Sequence, residues 1–200
     1  MATIYFEGYM GSSPAWTDLG ANTLVFSGSL TDLTAAININ QYNDGTHAGS
    51  GDPGTDQCGA NHMNNVKFLT TTTMSVNGGA SENINDTNLA QNECTLRLHF
   101  NHASAVSVTN ARLYMYRPSA GTTTKADNIV CYAFQRGVGA TSWTLINDTG
   151  TTGGDNSGER LDLADSASAT DHYWYVAVSV SPATVGSHTD VDLGMALTYS

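Results

Sequence analysis

The nine residues HYWYVAVSV (His172–Val180) alternate with a strict period of two, which suits an extended strand and nothing helical. Trp174, Val176, Val178 and Val180 fall on one face, and Tyr173, Tyr175, Ala177 and Ser179 on the other. Ser181-Pro182 is predicted to end that strand, because proline cannot donate to a ladder. The same period runs through CTLRLHF (Cys94–Phe100), where Leu96, Leu98 and Phe100 oppose Thr95, Arg97 and His99. It recurs in ARLYMYR (Ala111–Arg117), closed by Pro118, and in the terminal VDLGMALTYS, where Val191, Leu193, Met195, Leu197 and Tyr199 share a face. NIVCYAF (Asn128–Phe134) is apolar on both faces, as a central strand is. SWTLI (Ser142–Ile146) and the short ERLDLAD, with Leu161 and Leu163 on one side, add two more.

The first half of the chain carries the pattern more weakly, in TLVFSG (Thr23–Gly28), AINI (Ala36–Ile39) and VKFLTTTTMSV (Val66–Val76). No window sustains a helical period, and at most one turn is expected near Asn85–Asn92. NDGTHAGSGDPGTDQ (Asn43–Gln57) and NDTGTTGGDNSGE (Asn147–Glu159) read as exposed loops too polar to pack. Strands of about seven residues between turns predict an all-β fold: two antiparallel sheets in a jelly-roll-like β-sandwich. With no linker or repeat, 1–200 reads as a single domain whose core sandwich is 91–200, the segment 1–90 being less firmly patterned.

Charge narrows the partners. The net charge is −11, with seven Lys and Arg in 200 residues. Arg97, Arg112, Arg117, Arg136 and Arg160 stand singly, so the clustered cations that displace counterions from phosphates are missing. Neither nucleic acid nor an anionic membrane is therefore an expected partner. No apolar run approaches the roughly 20 residues a helix needs to cross a bilayer. The opening MATIYFEGYM contains Glu7 and no apolar stretch of roughly 7–15 residues, so no signal peptide is expected. Cys58, Cys94 and Cys131 are odd in number and widely spaced; buried free thiols are expected, with one intramolecular disulfide as the alternative.

Candidate chemistry is sparse. His99 and His102 lie three apart at a strand end, a spacing that does not converge ligands on an extended chain, and His172 is expected to mark the solvent edge of its strand. No nucleophile elbow, phosphate loop or dinucleotide fingerprint occurs, and catalytic residues are assigned as none. Two acidic loops invite calcium: Asp44, Asp52 and Asp56 in one, and Asp148, Asp155 and Glu159 in the other. Neither has the EF-hand spacing, and the preferred reading is that Asp and Asn cap their own turns, leaving no resident cofactor. Tyr114 and Tyr116, opposite the Leu113/Met115 face, are candidates for an interface or ligand surface. Tyr173 and Tyr175 could extend the same platform, against a sugar or against a protein partner, where Tyr is enriched.

Asp171–Gly186 (DHYWYVAVSVSPATVG), the terminal strand ending LTYS, NECTLRLHF and NARLYMYR together resemble β-sandwich structural proteins of tailed-phage virions. The likeness is greatest to capsid decoration (head cement) proteins of marine phages, and covers roughly Asn92–Ser200. It implies a non-enzymatic protein, made in the host cytoplasm and released in the virion by lysis. Such a protein docks on the major capsid protein or other virion proteins as a homo-oligomer, a trimer in some members. Thr-rich LTTTTM (Leu69–Met74) would suit an exposed edge able to pair with a neighbouring chain. The alternative class is a carbohydrate- or receptor-binding module of a tail fibre or a lectin-like domain.

Overall fold

Alternation decides which side chains go inward, and the inward sets from many strands build one core. The computed structural model describes residues 2–10, 15–24, 30–39, 41–43, 73–75, 81–83, 96–103, 107–135, 144–165, 170–182 and 184–199. In chain order the strands are β1 (Ala2–Met10), β2 (Ala15–Leu24), β3 (Leu30–Asn38), β4 (Gln41–Asn43), β5 (Thr73–Ser75), β6 (Ser81–Asn83) and β7 (Leu96–His102). There follow β8 (Val108–Tyr116), β9 (Ile129–Gln135), β10 (Thr144–Asn147), β11 (Leu161–Asp162), β12 (Asp171–Pro182), β13 (Gly186–His188) and β14 (Asp192–Tyr199). Among the described residues there is no helix.

Six strands form one sheet in the order β10-β9-β12-β7-β1-β2, and four form the other in the order β11-β8-β14-β3. Every pairing is antiparallel. Two short pairs, β13 with β4 and β5 with β6, stand apart. The chain changes sheet at β2–β3, on the way from β3 to β7, at β7–β8, β8–β9, β10–β11, β11–β12 and on the way from β12 to β14, the crossings from which a jelly-roll-like sandwich is made. The all-β sandwich predicted from periodicity is thus the observed fold.

The core lies between the sheets. Ile4, Phe6, Leu96, Leu98, Phe100, Trp174, Val176 and Val178 come from the six-stranded sheet; Leu33, Ile37, Leu113, Met115, Leu193, Met195 and Leu197 come from the other. Fully burying each large apolar side chain contributes roughly 1.5–3 kcal/mol, the main force against chain entropy. Trp174 also donates its indole N–H to the Ala164 carbonyl, so its polar edge is not orphaned. Cys131 is a free thiol in this core, and burial pushes its pKa up, which makes it a small hydrophobe. Cys58 and Cys94 lie outside the described residues, as do Asp44, Asp52 and Asp56.

β12 ends at Pro182, as Ser181-Pro182 predicts, with Pro182 its last paired residue, opposite Ile129. Several other expectations need correction. His172 does not mark a solvent edge: it points inward and is 3% exposed. The Asn147–Glu159 stretch is not too polar to pack. Asn147 is fully buried, accepting from Ala126 N–H (2.8 Å) and donating to the carbonyls of Ala126 (3.2 Å) and Ile129 (2.8 Å). Gly153 and Gly154 are buried as well. A polar loop packs when its groups satisfy one another and the neighbouring backbone. The larger omission is β1, from the weakly patterned segment: Ala2, Ile4 and Phe6 are core, while Tyr5 and Glu7 face outward.

Candidate functional site

Three strands in register lay a grid of nine side chains on the outer face of the six-stranded sheet. β7 is central. Thr3, Asn101 and Asp171 form one row, Tyr5, His99 and Tyr173 the next, and Glu7, Arg97 and Tyr175 the third. Strict alternation forces them all outward, since their neighbours Ile4, Phe6, Leu98, Phe100, Trp174 and Val176 are core. Neighbouring side chains shield one another, so that Tyr5, Glu7, Arg97, His99, Tyr173 and Tyr175 are only partly exposed.

His99 is the hub. Its ring stacks on Tyr173 at 4.3 Å between centroids and 20° between planes, and on Tyr5 at 5.2 Å and 26°. Nε2 lies 2.8 Å from Asp171 Oδ1; a carboxylate can only accept, so Nε2 carries the hydrogen. Nδ1 is 3.6 Å from Glu7 Oε1, an ion-pair separation rather than a hydrogen bond. Burial opposes the charged imidazole, but the two carboxylates outweigh it and hold the His99 pKa above its ordinary value. Around this hub the charges interlock. Arg97 donates from Nε to Glu7 Oε2 at 2.5 Å and sits over the rings of Tyr173 (4.8 Å) and Tyr175 (5.9 Å). Asn101 donates to Asp171 Oδ1 at 2.6 Å. Burial pulls the Glu7 carboxyl up, but His99 and Arg97 bring it below its usual value; Asn101 first, then His99, lower Asp171.

The tyrosines predicted to share one platform do not. Tyr114 and Tyr116 are on β8, on the outer face of the opposite sheet, with the whole sandwich between them and Tyr173 and Tyr175. Tyr114 is 1% exposed. Its ring and that of Tyr116 lean over Gly194, directly across the ladder from Tyr114, where a Cβ would come within 2.7 Å of Tyr114 Cε2 and 3.1 Å of Tyr116 Cε1. Burial drives the Tyr114 phenol far up, and burial followed by the charge of Asp192 raises Tyr116 to about 12.

The loop after β10 is fastened over this side. Gly154 N–H donates to Met115 O (2.8 Å), Asp155 N–H to Thr122 O (2.7 Å) and Leu163 N–H to Ala111 O (2.7 Å). Asp155 takes a two-pronged contact from Arg112, at 2.6 and 2.7 Å, and a third bond from Arg160 at 2.8 Å. The loop's acidic side chains are engaged by donors of the protein. Asp155 faces two guanidiniums, Asp148 accepts from Gly150 and Thr152 N–H, and Glu159 accepts from Gly153 N–H and Asn156. Among the described residues no three His, Cys, Asp or Glu side chains converge as a metal site.

Sequence reasoning singles out Tyr173 and Tyr175 but does not join to them Tyr5, Glu7, Arg97, His99 and Asp171, which share their sheet face. The signal was present in ATIYFEG (Ala2–Gly8), whose period of two puts Tyr5 and Glu7 opposite Ile4 and Phe6. Register, which brings those residues beside His99 and Arg97, is not written in any one strand. No protein-family model, curated protein or solved structure matches this chain.

Proposed function

We propose that this chain is a non-enzymatic structural protein of a phage virion. In this reading it is a capsid decoration (cement) protein that docks on the outside of the assembled head, through the outer face of the six-stranded sheet, and stabilises contacts between coat subunits. The observation that supports a docking role is the interlocked grid around His99. Tyr and Arg are the residue types that carry binding energy at protein interfaces, and here their conformations are set by one another. Side chains already ordered lose little freedom on binding, which leaves more of the contact energy as affinity. The virion part rests on the resemblance of Asp171–Gly186, NECTLRLHF, NARLYMYR and the terminal strand to decoration proteins, and the scarcity of cations is in keeping with a protein rather than a genome as partner.

The carbohydrate reading has less support. Sugar rings need open aromatic faces, whereas Tyr173 carries His99 and the Arg97 guanidinium against its ring, and Tyr114 is covered. Mass spectrometry of particles of the encoding phage is expected to find the chain at a fixed ratio to coat protein. Purified chain is expected to co-sediment with shells lacking it, and Arg97→Glu and Tyr173→Ala to weaken that binding at least tenfold. Specific glycan binding by a chain that never associates with particles would overturn the proposal.

A further inference from the structure

Two histidines of the six-stranded sheet meet inside the core. His102 closes β7 and His172 opens β12; both are 3% exposed, and their Nε2 atoms are 3.1 Å apart. Their ring centres are 5.3 Å apart with planes 28° from parallel, the arrangement of two imidazoles laid end to end across one N–H···N bond. That bond has room for one hydrogen: one Nε2 donates and the other must be bare to accept. Phe100 lies 5.2 Å from His102 and 6.0 Å from His172, Trp174 lies 6.0 Å from His172, and from the opposite sheet Tyr199 sets its ring edge-on to His102 at 5.3 Å. His102 pairs with Ala2 at the start of β1, and its backbone N–H donates to Thr170 O at 3.0 Å. The pair therefore sits where β1 begins, β14 ends and the two sheets touch. Asp171 is next to His172 in sequence but lies on the outer face, engaged with His99; among the described residues Tyr199 is a titratable group that β14 sets against the pair.

We propose that His102 and His172 form an acid-sensitive latch that holds the ends of β1 and β14 to the sandwich and opens on protonation. A first added proton can reside on the far nitrogen of the donating ring and leave the shared bond intact. A second must enter the gap, where it sets two N–H groups head to head and puts two positive charges in a core built of Phe100, Trp174 and Tyr199. The folded pair thus holds at least one proton fewer than the same two residues in the unfolded chain, whose imidazoles titrate at about 6.5. The sign follows: the unfolded state binds more protons below that pH, so stability falls as pH falls, by about tenfold in the folding constant per unit per proton. The latch is independent of any docking role.

Urea unfolding of the full chain at pH 7.5 and pH 5.0, beside His102→Leu/His172→Leu, tests it. The wild-type folding constant is expected to fall about thirtyfold further than that of the double variant over this interval, the effect of one excluded proton below about pH 6.5. Equal falls would overturn the latch. If the double variant does not fold, histidine-ring ¹⁵N spectra of the wild type decide alone. One bare and one protonated Nε2 joined by a through-bond N–N coupling, lost together with the Tyr199 contact on acidification, support the latch. Two rings that both become imidazolium while Tyr199 stays unmoved refute it.

Discussion

Tyr114-Met115-Tyr116 and Tyr173-Trp174-Tyr175 are the same sequence pattern with opposite surroundings. Each puts one large apolar residue into the core and two tyrosines on an outer face. On the four-stranded sheet the neighbours are small: Gly194 and Ala36 lie across the ladder, so the rings collapse sideways onto the sheet, and the loop carrying Asp155 and Arg160 is bonded over that side. On the six-stranded sheet the neighbours are large and charged. His99 and Arg97 on β7 prop the rings of Tyr173 and Tyr175 apart from the backbone, and the grid stays in contact with water. The first face is a structural seam, the second a built surface. Cross-strand neighbours, not the tyrosines, make the difference.

The largest effects belong to the covered side. Arg112→Met leaves Asp155, a mostly buried carboxylate, with Arg160 as its remaining cation. It is expected to cost about 3 kcal/mol, the scale for removing one member of a buried ion pair, measured by urea unfolding. The matching change on the six-stranded sheet, Arg97→Met, takes the Nε donor from Glu7, which is as little exposed (14%) as Asp155 (13%) but keeps His99 at 3.6 Å, and is expected to cost less, about 1.5 kcal/mol. Equal costs would erase the distinction between the faces. Next comes Gly194→Ala: the added Cβ meets the buried Tyr114 ring, which cannot swing into solvent, and the cost is expected at about 1–3 kcal/mol. A neutral result would mean that Tyr114 has room to move.

Legibility followed the same division. Period-two alternation in β7, β8, β12 and β14 was enough to assign the fold class and to sort Trp174, Val176, Leu113 and Leu193 inward. It failed where information is relational. Nothing local to Tyr114 announces Gly194 across the ladder, and nothing in ATIYFEG announces that β1 pairs with β7. The Asn147–Glu159 loop was misjudged because polar composition was equated with exposure. Its Asn147, Asp155 and Glu159 instead bind the backbone and guanidiniums that bury them. His172 was misjudged because its partner, His102, lies seventy residues away in sequence.

On the open face the proposed docking role places the expected losses in binding rather than folding. Tyr173→Ala removes a ring that is partly in water, so thermal unfolding is expected to change by under about 1 kcal/mol of stability. Under the proposed docking role, co-sedimentation with shells is expected to weaken at least tenfold, because the substitution also frees His99 and Arg97 from the stack. If stability fell as far as for Arg112→Met, the grid would be a structural seam like its counterpart.

The smallest predicted effect concerns the charge at the centre of that grid. The folded pKa of His99 lies above its unfolded value of 6.5, so the charge part of its interactions with Asp171 and Glu7 contributes fully below pH 6.5 and is lost as pH rises through the folded value. Glu7 and Asp171 are lowered, so their contributions hold above the ordinary carboxylate range and fade in acid. Above pH 6.5 the melting temperature is therefore expected to decline slightly in the wild type as His99 loses its proton, and less in His99→Gln, which can still donate one hydrogen bond but carries no charge. Identical slopes would mean that the imidazole is not held as a cation. The same titration alters the surface. With His99 charged, the grid of Glu7, Arg97, His99 and Asp171 is balanced, and with His99 neutral it carries one net negative charge, so a partner fitted to the balanced face is expected to bind more weakly on the alkaline side.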